Sequence, residues 1–138
     1  MAFTEYAKTQ VLKELVGVTG TAFDFNKMYL GLFSTVGTSY VELDSVTAPG
    51  YSRKLIGDPN YQAINVFPTP TSGSVTNDVD IMFGRATGTW PTVTGAGLFN
   101  SVSGGNNITQ DALSSNLSGI TTNWVVVIPA GSCTISFN

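Results

Sequence analysis

The chain has 138 residues, of which only 11% are charged, and six basic residues against nine acidic ones give a net charge of −3. This length fits one domain with one core, and because no basic stripe is present, nucleic-acid binding is not expected. The chain has no histidine and a single cysteine, so a Cys₂His₂ zinc site and any Ser-His or Cys-His catalytic pair are excluded.

The residue composition favours a β protein rich in turns. Ser and Thr together number 31, and there are 15 Gly and 10 Asn, residue types that are common in turns and unfavourable inside helices. The N-terminal MAFTEYAKTQ does not resemble a signal peptide, and no apolar run has the length needed to span a bilayer. We therefore expect the chain to be made and used without crossing or entering a membrane.

Residues 4–16 are predicted to form the one helix. Thr4 is suited to the N-cap, and Gly17 to the position after the last turn. Apolar residues at helical spacing form a stripe along one side. The stripe consists of Phe3, Ala7, Val11 and Leu15, widened by Leu12 and Val16. It either packs on the β-rich remainder of the chain or docks on another subunit, and we expect most of it to pack within the chain.

Beyond the helix, the sequence predicts short strands separated by turns. The apolar run 27–34 predicts a strand buried on both faces, 35–50 a long polar connection, and the alternating stretch 74–83 a single half-buried strand. The two glycines of strand 92–100 indicate close backbone approach or a bulge. The remaining predicted strands are 51–57, 61–67, 123–128 and 133–137, whereas 108–113 is either a strand or a short helical turn.

About seven to nine short strands with turn signals between them are typical of an antiparallel sandwich or jelly roll. The predicted fold class is mainly β: an antiparallel β-sandwich or jelly-roll-like domain with one N-terminal α-helix. We predict a single domain over residues 1–138, with the helix and a link in 1–20 and the β-sandwich in 27–138.

Carboxylates two residues apart are the pattern closest to a catalytic pair. Asp78 and Asp80, like Glu42 and Asp44, would share one face of a strand. A glycoside hydrolase needs two such groups, and Asn77 with Asp78 and Asp80 is a candidate calcium site, but a solvated strand face gives the same spacing. No catalytic residue, cofactor-binding residue or metal ligand is therefore predicted.

The single cysteine and the first tryptophan are predicted to be core residues. Cys133 lies in the alternating run CTISF, where a buried strand cysteine is expected. Trp90 precedes Pro91, which restricts its backbone to an extended form. A platform for stacking on a sugar ring is the alternative for Trp90.

Three segments carry a joint pattern that covers nearly the whole chain. They are 28–56, 80–100 with DIMFGRATGTWPTVTGAGLFN, and 127–138 with VIPAGSCTISFN. In order and spacing they resemble a family of small tailed-phage virion proteins, the tail-fibre or decoration-like proteins, which also place a helix at the N-terminus. The resemblance implies a virion structural protein, not an enzyme, assembled in the host cytoplasm. Within 80–100, the core candidates are Phe83, Trp90, Leu98 and Phe99.

As the function we expect a capsid decoration or cement protein that stabilises the head shell. The alternative is a tail fibre, tail tip or baseplate module for host attachment or adaptor function, and a cell-wall hydrolase is a remote third. The expected partners are the major capsid protein or tail proteins, and other copies of the chain in a trimer or dimer joined through sheet edges and the 35–50 loop. The predicted interface residues are Phe3, Val11, Leu15, Tyr40, Glu42 and Tyr61. If the chain binds host glycans, Trp90, Tyr40 or Tyr61 should be exposed.

Overall fold

The structure, a computed structural model, describes residues 1–16, 27–58 and 65–136. In these ranges the chain forms one helix, α1 (Glu5–Leu15), and ten strands. The strands are β1 (Ala2–Phe3), β2 (Met28–Val36), β3 (Ser39–Glu42), β4 (Lys54–Gly57), β5 (Ser74–Thr76), β6 (Ile81–Met82), β7 (Val93–Phe99), β8 (Asn107–Leu117), β9 (Val127–Ile128) and β10 (Thr134–Ser136). The mainly β class with one N-terminal helix is confirmed.

The strands form one large antiparallel sheet and two small two-stranded sheets that share its core. The large sheet has the strand order β1-β8-β7-β2-β3, with β4 also paired to β2, while β10 pairs with β5 and β6 with β9. Leu30, Leu32 and Leu98 of the large sheet pack in one core with Ile81 and Cys133 from the region of the small sheets. The arrangement is that of a sandwich, with the core between the large sheet and the two small ones.

The residues predicted to form the core of 80–100 are buried. Phe83, Trp90, Leu98 and Phe99 are each at most 5% exposed. The indole N–H of Trp90 donates to the Pro49 carbonyl at 2.8 Å, so its one polar atom is satisfied. Strand 27–34 is likewise buried in its centre, and 108–113 is part of strand β8.

The helix begins where the sequence predicts, but it packs differently. The Thr4 hydroxyl accepts the Ala7 N–H at 3.3 Å and donates to the Asn107 carbonyl at 2.7 Å, so the N-cap also ties α1 to β8. The expectation that most of the apolar stripe packs within the chain is wrong. Ala7 is buried together with Gln10, while the far end of the stripe is exposed: Leu12 by 60%, Leu15 by 76% and Val16 by 72%.

The predicted single strand 74–83 is divided into β5 and β6 by Asn77. This buried side chain donates to the carbonyls of Val79 and Pro129 at 2.8 and 3.0 Å and accepts the Cys133 N–H at 2.8 Å. These three bonds turn the chain toward the 129–133 turn and end its pairing with β10. Val79 is consequently exposed rather than part of the core.

Two other predicted elements differ from the structure. The polar connection 35–50 contains β3, because Gly37 adopts a positive φ of 65° and closes a hairpin in which Val36 faces Ser39. Strand 123–128 is reduced to β9, because Asn123, at a φ of 74°, and Trp124 lie in a turn. Gly17, Tyr61 and most of the predicted strand 61–67 lie outside the described residues.

Candidate functional site

Five of the six predicted interface residues are described, and they lie at opposite edges of the large sheet, whereas Tyr61 lies outside the described residues. Phe3, Val11 and Leu15 belong to β1 and α1, which pack at the β8 edge. Tyr40 and Glu42 lie on β3, at the other end of the strand order. Whether any of these residues contacts a partner stays a prediction, and the two groups form two separate surfaces.

At the first edge, α1 and β1 enclose a mainly apolar groove of about 540 Å³, here called the helix groove. It is lined by Met1, Ala2, Phe3, Lys8, Val11, Leu12, Leu15 and Ser136. The structure therefore brings together three residues that the sequence predicted for an interface. Because the exposed leucines leave apolar surface in water, covering this groove would release free energy of burial.

A second group of side chains packs on the face of the large sheet away from the main core, across strands β7, β2 and β3. We call it the outer-face cluster, and it consists of Phe33, Tyr40, Glu42, Arg53 and Phe99. Phe33 stacks on Phe99 with ring centroids 5.8 Å apart, and Tyr40 tilts against Phe33 at 5.7 Å. Phe33 and Phe99 are almost fully buried, although they are not part of the main core.

Three strand glycines make room for these rings. A Cβ at Gly97 would lie 2.8 Å from the Phe33 ring and 2.2 Å from the Thr109 carbonyl oxygen. At Gly31 it would lie 2.7 Å from the Phe99 ring, and at Gly95, 2.9 Å from the Tyr40 ring. A side chain at any of these positions would force a neighbouring ring or the backbone to shift, so the aromatic rings pack directly against glycine backbone. The close approach predicted from the glycines of strand 92–100 is confirmed.

Arg53 joins this aromatic group to the surrounding loops. Its Nε and Nη2 each donate to one carboxylate oxygen of Glu42 at 2.7 Å, and its Nη1 donates to the carbonyls of Ser101 and Gly104 at 2.7 Å. The guanidinium carbon lies 3.6 Å from the centre of the Phe99 ring. A bidentate ion pair and a cation–π contact thus fix one buried cation.

Glu42 also connects the cluster to the main core. Its Oε1 accepts the Tyr51 hydroxyl at 3.1 Å, and that hydroxyl accepts the Leu32 N–H at 3.0 Å. Burial raises the pKa of Tyr51 well above its usual value, so the phenol remains a neutral donor at physiological pH. With its polar atoms engaged in this way, the cluster is a structural element and Glu42 has no free carboxylate oxygen for catalysis.

Of the other carboxylates in the predicted pairs, Asp44 and Asp80 accept backbone hydrogen bonds in turns, and Asp78 is exposed. Asp44 accepts the N–H groups of Val46 and Thr47 at 2.8 and 2.7 Å, and Asp80 accepts the Ala130 N–H at 2.9 Å. Asn77, the third candidate calcium ligand, uses its whole amide within the fold. Among the described residues, no group of three or more His, Cys, Asp or Glu side chains could hold a metal ion.

Cys133 is a buried free thiol, and burial raises its pKa. This confirms the prediction of a buried cysteine, and a thiol kept protonated is a poor nucleophile. No helix in the described part of the chain is long and apolar enough to cross a membrane.

One exposed aromatic residue, Trp124, was not among the candidates predicted from the sequence. Trp90, the candidate for sugar stacking, is 4% exposed, whereas Trp124 is 54% exposed. Tyr40 is half-buried in the outer-face cluster. The prediction of a strand over 123–128 gave no indication that Trp124 is exposed, and the turn-forming TTN at 121–123 was the signal that Trp124 lies outside a strand.

The described part of the chain is a mainly β, sandwich-like domain in which the helix groove is uncovered and Glu42, Asp44 and Asp80 bind within the fold. Comparison with protein families gives this class a name: the family model described as Podophage GP4 fiber I protein gp80 matches residues 2–136. The chain belongs to this family of phage fibre proteins and is a virion structural protein. A search among curated proteins gives no match.

The family match supports the prediction of a virion structural protein, and it favours the tail-fibre role over the capsid decoration role. A bacteriophage virion protein is confirmed, and a component of the virion particle is the implied location. The capsid decoration role placed first is not confirmed, and the tail-fibre alternative fits better. The family is one of structural fibre proteins, which are not typically enzymes.

Proposed function

We propose that the chain is a subunit of a phage tail fibre, assembled in the host cytoplasm, that joins neighbouring fibre or tail proteins into the attachment apparatus. The observation that carries this proposal is the match of a fibre family over residues 2–136, nearly the whole chain. A match of this extent includes the helix and all three sheets. The fibre family therefore supports a tail role for the complete fold rather than for one shared motif.

The helix groove supports contact with another subunit. Leu12 and Leu15 are exposed by 60% and 76% on a helix that begins with an N-cap and is tied to β8. Apolar residues held in this way on a low-charge chain favour association. The expected partners are further copies of the chain, in a trimer or dimer, and adjoining tail proteins, with no part for nucleic acid or membrane.

Labelling of intact virions tests the proposal. Antibodies raised against the purified chain and coupled to gold should label tails in negative-stain images. Quantitative mass spectrometry of the virion should give a copy number that matches tail symmetry. Label spread over the head with a copy number that matches the capsid lattice would contradict the fibre role and favour the decoration role. A virion from which the gene is deleted serves as the control for antibody specificity.

A further inference from the structure

Strand β8 contains a section without a neighbouring strand. In the ladder between β7 and β8, Gly95 faces Ala112, and two residues before it on β7, Val93 already faces Leu117. Residues 113–116 therefore bulge out of the ladder between these two pairs. On the opposite side of β8, β1 pairs at only two residues, both before this section. In the described ranges of the chain, no hydrogen bond to the backbone of 113–116 is present, so these peptide groups are available to a strand from outside.

Apolar surface lies beside these unpaired peptide groups. A cavity of about 400 Å³, here called the edge cavity, is lined mainly by residues of 111–117 on one side and of 127–134 on the other. Leu117 and Val127 both line it and are exposed by 36% and 39%. Met82, which faces Val127 in the β6–β9 pair, is exposed by 52%. Unpaired strand backbone next to exposed apolar side chains is a surface to which a further strand is added in strand-mediated recognition.

The lack of charge on this surface favours a second copy of the chain as the source of that strand. Residues 112–138 contain no Asp, Glu, Lys or Arg. Charged side chains on an edge strand prevent identical edges from pairing, because like charges then meet. Asp111, the last charged residue before this section, lies 3.9 Å from the Met1 ammonium, and its carboxylate accepts the Ala112 N–H at 2.8 Å. Two copies therefore meet at 113–117 without charge repulsion.

The limits of the unpaired section set the register of such a pair. In an antiparallel pair centred on Ser115, Leu113 of one copy lies across from Leu117 of the other, and the two Ser115 residues face each other. β1 pairs with β8 no further than Gln110, so it ends before the paired section. Gly119, at a φ of 73°, turns the chain of the second copy away before it would reach β1. Both copies use the same surface, so the contact has two-fold symmetry.

We propose that residues 113–117 of β8 pair antiparallel with the same residues of a second copy, so that the large sheets of two copies join into one continuous sheet. The edge cavity continues the helix groove, since Met1 lines both. The pairing therefore extends the surface at which association is proposed. The inference rests on the proposed role as an assembling fibre subunit, and it adds the strand, the register and the symmetry of one contact between copies.

Opposite charges introduced at Ser115 test the register on the full chain. Ser115→Lys and Ser115→Asp each place like charges across the two-fold axis. Each variant alone should therefore self-associate about fivefold or more weakly than the wild type in sedimentation at micromolar concentration. An equal mixture of the two variants should recover association, because opposite charges then face each other. Ser103→Lys changes an exposed serine outside the edge cavity and, as the matched control, should associate as the wild type does.

Oxidative cross-linking gives a second measurement. Residues that face each other in an antiparallel pair have Cα atoms about 4.5–5.5 Å apart, within the range that a disulfide spans. Ser115→Cys should therefore form a covalent dimer when it is oxidised with copper phenanthroline, whereas Ser103→Cys should not. Cys133 is buried, so adding Cys133→Ala should leave the product unchanged. Circular dichroism and thermal melting should show that the variants at both serines are folded, since these side chains are exposed.

Three results would overturn the inference. The first is a wild-type chain that sediments as a monomer. The second is association that neither charge at Ser115 weakens, or an associated Ser115→Cys chain that forms no covalent dimer. The third is a Ser115→Lys chain that self-associates normally but loses contact with another virion protein, which would assign the β8 edge to a different partner. None of these results affects gold labelling of the tail, so the fibre role is tested separately.

Discussion

The outer-face cluster covers strands β7, β2 and β3 of the large sheet, whereas the helix groove lies at the β1 edge. Apolar side chains are buried in the cluster and exposed in the groove. In the cluster, rings lie on glycine backbone and the polar atoms of Arg53 and Glu42 are paired. In the groove, leucines of a well-capped helix remain in water. The buried rings and the Arg53–Glu42 ion pair of the outer-face cluster therefore stabilise the fold, whereas the exposed leucines of the helix groove remain available for contact with another subunit.

The largest loss of stability is expected when a side chain is added at a glycine that packs against an aromatic ring of the outer-face cluster. Gly97→Ala should reduce the free energy of unfolding by about 3–4 kcal/mol, at the upper end of overpacking costs, because its Cβ would lie 2.2 Å from the Thr109 carbonyl oxygen. Urea denaturation followed by circular dichroism measures the change. Gly57→Ala is the control, because its Cβ would have no neighbour closer than 3.9 Å. Equal effects at both positions would contradict the account of the cluster.

Removing the cation of the cluster should have the next largest effect. Arg53→Ala leaves Glu42 without its bidentate partner and should cost about 2–3 kcal/mol, less than for a fully buried pair, because Glu42 retains some contact with water. Arg53→Lys should recover only part of the loss, since an ammonium cannot match both carboxylate oxygens.

The control for Arg53 is the exposed pair of Lys8 and Glu5, whose charged atoms are 2.7 Å apart. Lys8→Ala should cost less than about 0.5 kcal/mol, as exposed helix pairs do. Denaturation of the variants side by side gives both values. A similar loss for Arg53→Ala and Lys8→Ala would show that the cluster does not depend on its ion pair.

A charge in the helix groove should separate stability from assembly. Leu15→Asp should change the melting temperature little, because the side chain is 76% exposed, but it should abolish self-association measured by sedimentation at micromolar concentration. Thr9→Asp adds the same charge at an exposed position of α1 outside the groove lining and should leave association intact. A wild-type chain that sediments as a monomer would remove the support for self-association.

The elements predictable from the sequence are those that depend on local patterns. Thr4 before an apolar stripe predicted the start of α1, and the continuous apolar run predicted β2. The alternation around Cys133 predicted β10 and the buried thiol that precedes it. The glycines of β7 signalled close approach, but the partners of that approach, Phe33 and Tyr40, come from distant strands. No local pattern shows which ring will cover which glycine.

The predictions that were wrong also depend on contacts between residues that are distant in the sequence. Asn77 breaks an alternating strand because its amide binds three backbone groups far along the chain, and periodicity does not record such bonds. Arg53 and Glu42 are eleven residues apart, so their pairing also depends on the fold. For α1, the apolar stripe correctly indicated a helix, but which part of the stripe is covered is decided by the position of β8.

Asp44 provides the smallest and most local test, since it is an exposed carboxylate two residues from the partly buried Glu42. The Thr47 N–H, the Thr47 hydroxyl and the Val46 N–H hold the pKa of Asp44 below its usual value of 3.8. A carboxylate whose pKa is lowered by folding stabilises the native state above its unfolded pKa, and this contribution is lost as the pH falls through the folded pKa. Titration by NMR should therefore give a midpoint below 3.8 for Asp44.

The stability effect of Asp44 should be small, because the side chain is fully exposed. Asp44→Ala should lower the melting temperature slightly at neutral pH, and its difference from the wild type should shrink as the pH falls below 3.8. Asp44→Asn keeps an acceptor oxygen and should show little of this pH dependence. A midpoint at or above 3.8 would mean that the turn does not hold the charged carboxylate. Of the two carboxylates, only the partly buried Glu42 would then be held in its charged form by contacts within the fold.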